Sequence, residues 1–432
     1  MIIEQHEQFK RAIELMENTH HSVFLTGKAG TGKSTLLSHF MNHTKKNVAV
    51  LAPTGVAALN VQGETIHSFF GFMPNMTVDK AKKKGAKATK NELYTGVTTI
   101  VIDEVSMMRA DLADCVDQFL KAARKNKEPF GGVQMVFIGD LYQLPPIVMN
   151  HEKDFFAEFY ESPWFFHAKA VRDERFFMEL VELDKIYRQN DDAFIDLLNA
   201  IRVNTVTDRQ IDAINARVLS VGSQVLDSIY LTSTNQLAAD INDARLAQLK
   251  TPSHQFTSTI KGNFDMKQYP TDQSLMLKVG AQVMFANNDM DGQWVNGTVG
   301  QVTEILPRAV IVQIHGGKEV HVTAHEWKLY RYEYDSSAKS LSQKSAGAFE
   351  QIPLKLAWAI TIHKSQGKTF DRVVIDLGNG SFASGQTYVA LSRCRTFEGI
   401  RLKKPIRKSD VKVDRQVHRF LTEYQRETYE RI

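Results

Sequence analysis

The sequence predicts an α/β protein in which short buried strands alternate with helices in two successive regions of the chain. In the first region, apolar runs with the length of buried strands occur at residues 22–25, 48–51, 99–102 and 135–138. In the second region, runs of the same kind occur at residues 229–231, 357–362 and 373–375. Apolar strands that alternate with helical segments indicate parallel sheets whose two faces are covered by helices.

The composition is that of an ordinary folded protein. Of the 432 residues, 43% are hydrophobic and 24% are charged, which favours two or three domains and argues against disordered or fibrous classes. No apolar run approaches the roughly 18 residues that a membrane span needs. The two cysteines, Cys115 and Cys394, are too few for a disulfide framework or a zinc site, and no targeting segment is visible at the N-terminus. We therefore expect a cytoplasmic protein without membrane contact.

The helices follow from apolar periodicity and from their position after strands. Phe9, Ile13, Leu15 and Met16 recur at near-helical spacing and predict a helix at the start of the chain. Residues 34–40 predict the next helix, directly after a glycine-rich turn. In the second region, residues 235–249 predict a helix after the strand at 229–231.

Two segments depart from this alternation. Residues 72–96 are rich in lysine, and we interpret them as a small exposed insertion, whose lysines favour a solvated face over a DNA contact. Residues 278–352 contain valine-rich runs separated by glycines, which predict short antiparallel strands and hence a small β-barrel-like insertion.

A phosphate-binding loop is the clearest motif in the chain. Residues 27–34 read GKAGTGKS and fit the pattern G-x-x-x-x-G-K-[ST] between a predicted strand and a predicted helix. Backbone N–H groups of such a loop converge on phosphates at a helix N-terminus. Lys33 is expected to reach the β- and γ-phosphates, and Ser34 to bind Mg²⁺. The expected ATP-binding residues here are Gly27, Ala29, Gly30, Thr31, Gly32, Lys33, Ser34 and Thr35.

Polar residues that follow two further strands complete the predicted catalytic set. Asp103 and Glu104 follow the strand at 99–102, and a carboxylate at a strand end lies beside the phosphate loop when the two strands are neighbours. We expect Asp103 to hold Mg²⁺ and Glu104 to accept a proton from the attacking water. Gln143, in the segment GDLYQLPP after the strand at 135–138, can hydrogen-bond that water and a γ-phosphate oxygen.

Arg188 and Arg393 supply the positive charge that phosphoryl transfer requires as charge builds on the γ-phosphate oxygens. Both arginines lie in the second region of the chain. Either one alone would be read as a surface ion pair, and it is their combination with the phosphate loop that makes them catalytic candidates.

The ordered motifs resemble those of superfamily-one helicases, and most closely the Pif family of DNA helicases. The resemblance rests on GKAGTGKS, LAPTGVAA, GETIHSFFG, VIDEVSM, GDLYQLPP, LDKIYRQ, ITIHKSQGKTFD and YVALSRCR, which occur in the family's order from about residue 5 to 400. The segment LKAARKNKEPFGGVQMVFIGD is similar to that family's own signature. The chain lacks long extensions, so it resembles a compact bacterial or phage-like member.

The resemblance implies two tandem RecA-like domains. We expect residues 1–71 and 97–175 to form the first domain and 72–96 a wedge-like insertion within it. Residues 176–277 and 353–432 are expected to form the second domain, with 278–352 as its β-barrel insertion.

The resemblance also implies the activity and the partners. The expected activity is ATP- and Mg²⁺-dependent, 5′-to-3′ translocation on single-stranded DNA with unwinding of duplexes, forks and G-quadruplexes, by a monomer that binds no other metal. Gln8 is expected to read the adenine in preference to Gln5, and Gly367 to face the nucleotide. Roles in replication, repair, recombination and telomere maintenance would follow.

Single-strand binding needs contacts to the backbone together with surfaces that separate stacked bases. Three motifs offer hydroxyls, amides and rings beside strand ends, and the segment after Gln143 adds two apolar residues. The expected DNA-binding residues are Pro53, Thr54, Gly55, His67, Ser68, Phe69, Leu144, Pro145, Thr361, His363 and Lys364. At least one of Phe69 and Phe70 is expected to be a core residue.

Four other functions are compatible with parts of the sequence. A RecD-like motor and a 3′-to-5′ superfamily-one motor would share the ATP motifs. An ATP-driven single-strand translocase or nucleoprotein remodeller would need no wedge, and residues 72–96 contain no aromatic residue besides Phe72 and Tyr94. A P-loop kinase is the least compatible, because of the paired arginines and the second α/β region.

Overall fold

The computed structural model describes residues 6–430, except 74, 190, 221–227, 263, 265, 315 and 316. The chain divides into two compact units. The first unit comprises Met1–Tyr187, Leu329–Ala346 and Asp414–Ile432, and the second comprises Arg188–Lys328 and Gly347–Val413. Each unit contains its own parallel sheet, so the predicted α/β class is confirmed.

The helices range from single turns to sixteen residues. They are α1 (Glu7–Asn18), α2 (Lys33–His43), α3 (Gly55–Asn60), α4 (Ile66–Phe70), α5 (Val78–Lys87), α6 (Glu92–Gly96), α7 (Ala110–Arg124), α8 (Lys153–Phe159), α9 (Asp192–Arg202), α10 (Asp208–Asn215), α11 (Asn235–Gln248), α12 (Gln386–Leu391) and α13 (Arg415–Glu430). Among the described residues, no helix has both the length and the apolar character that crossing a membrane requires.

The sheet of the first unit has six parallel strands in the order β3-β2-β4-β5-β1-β6. They are β1 (Ser22–Gly27), β2 (Val48–Ala52), β3 (Glu64–Thr65), β4 (Thr99–Ile102), β5 (Gln134–Ile138) and β6 (Met178–Leu183). Every residue of β1, β2, β4 and β5 is buried, as a parallel sheet covered on both faces requires. Helices α1 and α2 share a core with these strands, in which Phe9 and Phe40 are buried.

The first unit extends further along the chain than expected. Strand β6 pairs in parallel with β1 over six residues, from Ser22 opposite Met178 to Gly27 opposite Leu183, so the boundary expected at 175/176 was wrong. Helix α13, expected in the second domain, also belongs to the first unit, where the Phe420 ring stacks on Phe166 with 4.2 Å between centroids. Both elements were missed because they join the first unit through long-range pairing rather than a local pattern.

The lysine-rich insertion at 72–96 contains α5 and α6. Helix α5 buries Ala81 and Gly85, and its backbone lies so close to α7 that a Cβ on Gly85 would fall 2.3 Å from the carbonyl oxygen of Phe119. Glycine at this position therefore sets the spacing of the two helices. The lysines of the segment are all exposed, namely Lys80, Lys82, Lys83, Lys84, Lys87 and Lys90.

The second unit combines a parallel sheet with antiparallel sheets. The parallel sheet has the order β18-β7-β19-β20, and the largest antiparallel sheet the order β14-β13-β12-β11-β17. The strands are β7 (Ile229–Thr232), β8 (Ser253–Thr257), β9 (Thr259–Gly262), β10 (Ser274–Lys278), β11 (Gln282–Phe285), β12 (Val299–Leu306), β13 (Ala309–Ile314), β14 (Glu319–Thr323), β15 (His325–Asp335), β16 (Ser340–Gln351), β17 (Leu354–Leu356), β18 (Ala359–Thr361), β19 (Val373–Asp376) and β20 (Ile400–Leu402).

The antiparallel strands differ from the expected insertion in extent and closure. They begin at Ser253 rather than at residue 278. Within the described part of the chain they form separate two-, three- and five-stranded sheets and no closed barrel. A valine-rich core that includes Val283, Val310 and Val322 lies under the five-stranded sheet.

The outer part of β15 and β16, Leu329–Ala346, belongs to the first unit, although it was expected to lie with the rest of 278–352. The buried hydroxyl of Tyr332 accepts the backbone N–H of Val50 at 2.8 Å, and the Tyr332 N–H donates to the Glu64 carboxylate at 3.3 Å. The side chain of Asn47 donates to the carbonyl of Lys339. Polar groups in and beside β2 and β3 are thus hydrogen-bonded by residues more than 260 positions away in the sequence.

Replacing Tyr332 with Phe removes the acceptor of the buried Val50 N–H. Leaving a buried donor unpaired costs about 1–3 kcal/mol, so we expect the first unit to be destabilised by that amount and the β2 amides to exchange faster with solvent. Hydrogen exchange over residues 48–52 measures this, with Tyr330→Phe, a half-buried ring on the same strand, as the control. Equal exchange in both variants would contradict the assignment.

Candidate nucleotide site and nucleic-acid interface

The loop between β1 and α2 has a backbone that depends on glycine. Gly27, Gly30 and Gly32 have φ values of 150°, 84° and 86°, which L-residues with a side chain rarely adopt. A Cβ on Gly27 would also lie 2.6 Å from the carbonyl oxygen of Leu183. Gly32 is the N-cap of α2, so the loop delivers its amides to the N-terminus of an eleven-residue helix. This is the geometry of an anion site.

Lys33, the first residue of α2, lies against this loop. Its ammonium donates to the carbonyl oxygens of Gly27 at 2.7 Å and Lys28 at 3.0 Å. The Thr31 hydroxyl donates to the same Lys28 carbonyl at 3.0 Å. The expected phosphate-binding lysine is therefore located at the loop, and Ser34 follows it with an exposed side chain.

The two carboxylates after β4 lie at the same edge of the sheet as the loop. Burial and the neighbouring charge of Glu104 raise the pKa of Asp103 to about 7, while the charge of Lys33 opposes that rise. The condition named for this contact, that the two strands are neighbours, is not met, because β5 lies between β4 and β1. The carboxyl ends of parallel strands nevertheless share one edge, so the Lys33 charge still acts on Asp103. Ser34 and Asp103 are the residues that could hold a cation.

The segment after β5 lies against the segment after β4. A Cβ on Gly139 would be 3.1 Å from the backbone nitrogen of Val105. Gln143 is buried, and its side-chain amide donates to the buried Asp140 carboxylate at 3.4 Å, with its backbone N–H donating to the Asp140 carbonyl at 3.0 Å. Gln143 is therefore held in a fixed orientation at the edge that carries Asp103 and Glu104.

Tyr187 is a residue of this site to which the sequence analysis gave no role. Its backbone N–H donates to the carbonyl of Gly30 at 2.9 Å, and its half-exposed ring lies 3.7 Å from the Cβ position of Gly32. The ammonium of Lys185 lies 5.3 Å from the ring centroid. The signal in the sequence was an aromatic residue directly before the candidate Arg188, in the motif LDKIYRQ.

Gln8, the expected adenine reader, is held in the first unit by a hydrogen bond. Its side-chain amide donates to the Asp184 carboxylate at 3.2 Å, in the segment between β6 and Tyr187. Gln5 lies outside the described residues.

In the second unit, the two candidate arginines contact the same loop. Arg393 is almost fully buried and donates to the carbonyls of Val389, Ser365 and Lys368 and to the Ser392 hydroxyl, at 2.9–3.4 Å. Arg188 is less enclosed and reaches the carbonyls of Ser392 at 3.4 Å and Gly367 at 3.5 Å. Gly367 has a φ of 75° and open space at its Cβ position. The structure thus brings both candidate arginines to the 365–368 loop, a grouping that the sequence did not indicate.

Several expected DNA contacts in the first unit have local structural partners. The Thr54 hydroxyl accepts the Ala57 N–H and caps α3, beside partly exposed Pro53 and Gly55. The Ser68 hydroxyl donates to the Glu64 carboxylate at 2.5 Å. His67 is half-buried, and burial lowers its pKa, with the charge of Asp111 opposing that shift.

Two of the expected contacts in the first unit are buried, and their side chains do not face solvent. Phe69 packs edge-on against Phe70, Tyr94 and Tyr332, so both phenylalanines of this motif are core residues. Leu144 has no exposed surface, whereas the adjacent Pro145 is partly exposed. The assignment of Phe69 and Leu144 as DNA contacts was wrong for this structure, because apolar residues beside a motif serve the core first.

The candidate contacts of the second unit lie at the end of β18. The buried Thr361 hydroxyl accepts the Lys364 N–H at 3.2 Å and fixes the start of the following turn. Burial lowers the pKa of His363, which favours a neutral ring, and Lys364 is exposed. Thr361 therefore positions this turn, and His363 and Lys364 are its accessible polar groups.

The first unit carries a phosphate-binding loop after β1 and an acidic pair after β4, at the same edge of one parallel sheet. These features define the chain as a P-loop nucleotide-binding protein. The model of the family described as PIF1-like helicase matches residues 1–212. The chain is 32% identical to the ATP-dependent DNA helicase Pif1 of Bdellovibrio bacteriovorus, over 90% of this chain and 86% of that one. The chain belongs to the PIF1-like helicase family.

Human and bacterial relatives differ in how much of their length is matched. The chain is 35% identical to human ATP-dependent DNA helicase PIF1 over 88% of its own length, and spans 58% of that relative. The crystal structure of Bacteroides sp Pif1 with ADP-AlF4 superimposes with a TM-score of 0.88 at 34% identity, covering 99% of this chain and 98% of that one. Bacteroides Pif1 bound to ssDNA matches over the same shares with a TM-score of 0.68, also at 34% identity. The expected resemblance and the tandem RecA-like fold class are confirmed.

Substituting Gly27 with Ala places a methyl group against the Leu183 carbonyl, so the loop must shift. We expect binding of a fluorescent ATP analogue to weaken by about tenfold or more, a loss of roughly 1.4 kcal/mol. Gly292→Ala is the matched control, since Gly292 also has positive φ (70°) but has open space at its Cβ position. If both variants bind the analogue like the unmodified protein, the steric requirement at Gly27 is disproved.

Proposed function

We propose that this chain is an ATP-dependent DNA helicase that moves 5′-to-3′ on single-stranded DNA and unwinds duplexes, forks and G-quadruplexes. The observation that carries the proposal is the set Lys33, Asp103, Glu104 and Gln143 at one edge of the first unit's sheet. Support comes from the family and from relatives named as ATP-dependent DNA helicases. Relatives have also been crystallised with ADP-AlF4 and with ssDNA.

Each residue of this edge has a defined task in ATP hydrolysis. Lys33 neutralises phosphate charge from the first turn of α2, and Gln143 orients the attacking water. Glu104 accepts the proton from that water. Gln8, in α1, and Tyr187, in the segment after β6, bind the rest of the nucleotide.

Magnesium fits the donors that are present. Asp103 is a partly buried carboxylate whose pKa is raised by desolvation and by the charge of Glu104, and a divalent cation would offset both effects. Ser34 and Asp103 would hold the ion, which neutralises charge on the phosphate oxygens when it is bound.

The two arginines of the second unit have different tasks. The buried guanidinium of Arg393 donates to three backbone carbonyls and a hydroxyl, so it fixes the 365–368 loop. Arg188 makes longer, weaker bonds and is the arginine that can exchange them for γ-phosphate oxygens. Arg393 therefore positions the loop beside Arg188, and Arg188 carries the transition-state charge.

A second candidate function is an ATP-driven single-strand translocase or nucleoprotein remodeller with little strand separation. One observation favours it: in the described part of segment 72–96, the aromatic residues Phe72 and Tyr94 are only 5% and 8% exposed. The insertion thus presents lysines rather than aromatic rings to solvent, and lysines alone do not separate stacked bases.

A duplex with either a 5′ or a 3′ single-stranded tail separates these functions. We expect ATP-dependent opening of the 5′-tailed duplex only, and none by the Lys33→Ala variant, because that variant lacks the phosphate-binding charge. Gel separation of the strands measures the outcome. Opening of the 3′-tailed duplex alone would reject the polarity, and DNA-stimulated hydrolysis without any opening would favour the remodeller.

Replacing Arg188 with Ala tests whether Arg188, rather than Arg393, stabilises the charge of the transition state. Loss of an arginine that stabilises the transition state costs about 10³–10⁵ in kcat, so DNA-stimulated hydrolysis should fall by at least the lower factor while binding of an ATP analogue changes little. Arg209→Ala, at an exposed arginine of the same unit, is the control. A matched fall in binding and hydrolysis would instead assign Arg188 to ground-state binding.

A further inference from the structure

Two lysines outside the proposed catalytic set lie beside the loop that carries His363 and Lys364. Lys355 is in β17, opposite Met284 of β11. Lys368 follows Gly367, and its ammonium donates to the side-chain oxygen of Asn296, in the turn before β12. Its aliphatic stem lies 3.3 Å from the Cβ position of Gly297. Gly297 in turn donates its N–H to the carbonyl of Phe285 at 2.9 Å, and Phe285 pairs with Leu354, the residue before Lys355. The stem of Lys368 therefore lies against the strand pair that carries Lys355, and both lysines are partly buried.

The positive charges of Lys355, Lys364 and Lys368 act on one another, and Asp272 is the acidic residue that opposes them at Lys355. Burial, and then the charge of Lys364, lowers the pKa of Lys355 to about 8. Burial, and then the charge of Lys355, lowers the pKa of Lys368 to about 7. Like charges that are held together in a partly desolvated place are unfavourable, and an anion bound between them would relieve that cost.

The direction of the Lys368 side chain separates this cluster from the arginines. The carbonyl of Lys368 accepts a hydrogen bond from Arg393, whereas its ammonium is bonded to Asn296. The backbone thus faces the arginine pair and the ammonium faces the antiparallel sheet. Lys364 is exposed and acts electrostatically on Lys355, so a strand contacting Lys364 passes within reach of the cluster.

We propose that Lys355 and Lys368, oriented by Asn296, form an anion site for one phosphodiester of the bound DNA strand, next to the contact made by Lys364. The inference rests on the DNA binding of the proposed function and adds a backbone phosphate subsite to it. Partly buried ammonium groups bind a phosphate without reading the base, which suits a protein that moves along any sequence.

The test is the affinity for a labelled oligothymidylate, measured by fluorescence anisotropy over a series of salt concentrations. Lys355→Met and Lys368→Met keep the apolar stem and remove the charge. We expect each variant to bind the oligonucleotide about tenfold to a hundredfold more weakly, the effect of losing a charged hydrogen bond. The slope of log affinity against log salt should fall by about 0.7, the value for one single-strand phosphate contact.

Lys408→Met is the matched control, because Lys408 is an exposed lysine of the same unit paired with Asp208. It should leave both the affinity and the salt slope unchanged. Combining Lys355→Met with Lys368→Met should cost less than the sum of the two single effects, since both groups bind one phosphate. Additive effects would overturn a shared site.

Proton uptake gives a readout that a merely structural lysine would not change. The charged groups that act on this pair are Lys364 and Asp272, with Arg393 on the backbone side of Lys368. A phosphate favours the charged form of Lys368, so binding DNA at pH 8 should take up protons, as measured by calorimetry in two buffers of different ionisation enthalpy. The Lys368→Met variant should take up fewer, and equal uptake would overturn the proposal.

Measuring the binding of an ATP analogue distinguishes a site for the DNA phosphate from a site for the nucleotide phosphates. The affinity for a fluorescent ATP analogue should stay within about twofold in both variants, and a loss of ATP binding with unchanged DNA binding would assign the lysines to the nucleotide instead. If the unmodified protein binds no oligothymidylate, the proposed function fails and this inference fails with it. If the unmodified protein binds DNA and the variants bind it equally well, only this inference is overturned.

Discussion

The parallel direction of the strands is the constraint on which the candidate site depends. Because β1, β4, β5 and β6 run the same way, the segments that follow them all leave the sheet at one edge. The phosphate loop, the acidic pair, Gln143 and Tyr187 come from four such segments. Parallel direction alone brings them to the same edge, although β5 lies between β1, which precedes the phosphate loop, and β4, which precedes Asp103.

Packing at the phosphate loop shows how closely the sheet and the site depend on each other. Strand β6 supplies the Leu183 carbonyl that leaves no room for a side chain at Gly27, and the segment after it supplies the Tyr187 N–H that binds Gly30. The loop is therefore held from β6 as well as from its own strand and helix. A glycine pattern visible in the sequence thus reflects a contact with a strand about 155 residues away.

Much of the fold and of the nucleotide site could be predicted from the sequence because the evidence was local. Apolar runs gave β2, β4, β5 and β19 to within a residue or two, and the loop motif located Lys33 and Ser34. Membership of β6 and α13 in the first unit could not be read this way, since it depends on pairing with Ser22–Gly27 and on stacking against Phe166. Likewise, no local pattern distinguishes Phe69 as a core residue from Phe69 as a base-stacking surface.

The strand pair β15–β16 has a consequence for how the protein is made. During synthesis, the last strand of the first sheet is complete once residue 183 has left the ribosome. The hydrogen bonds of Tyr332 with the Val50 N–H and the Glu64 carboxylate form only after residue 332 has been made. The Phe166 ring is covered only when Phe420 has followed. The first unit is therefore translated first but completed late. Until then, backbone groups of β2 and the apolar surface around Phe166 stay exposed to solvent, and such transient exposure favours aggregation.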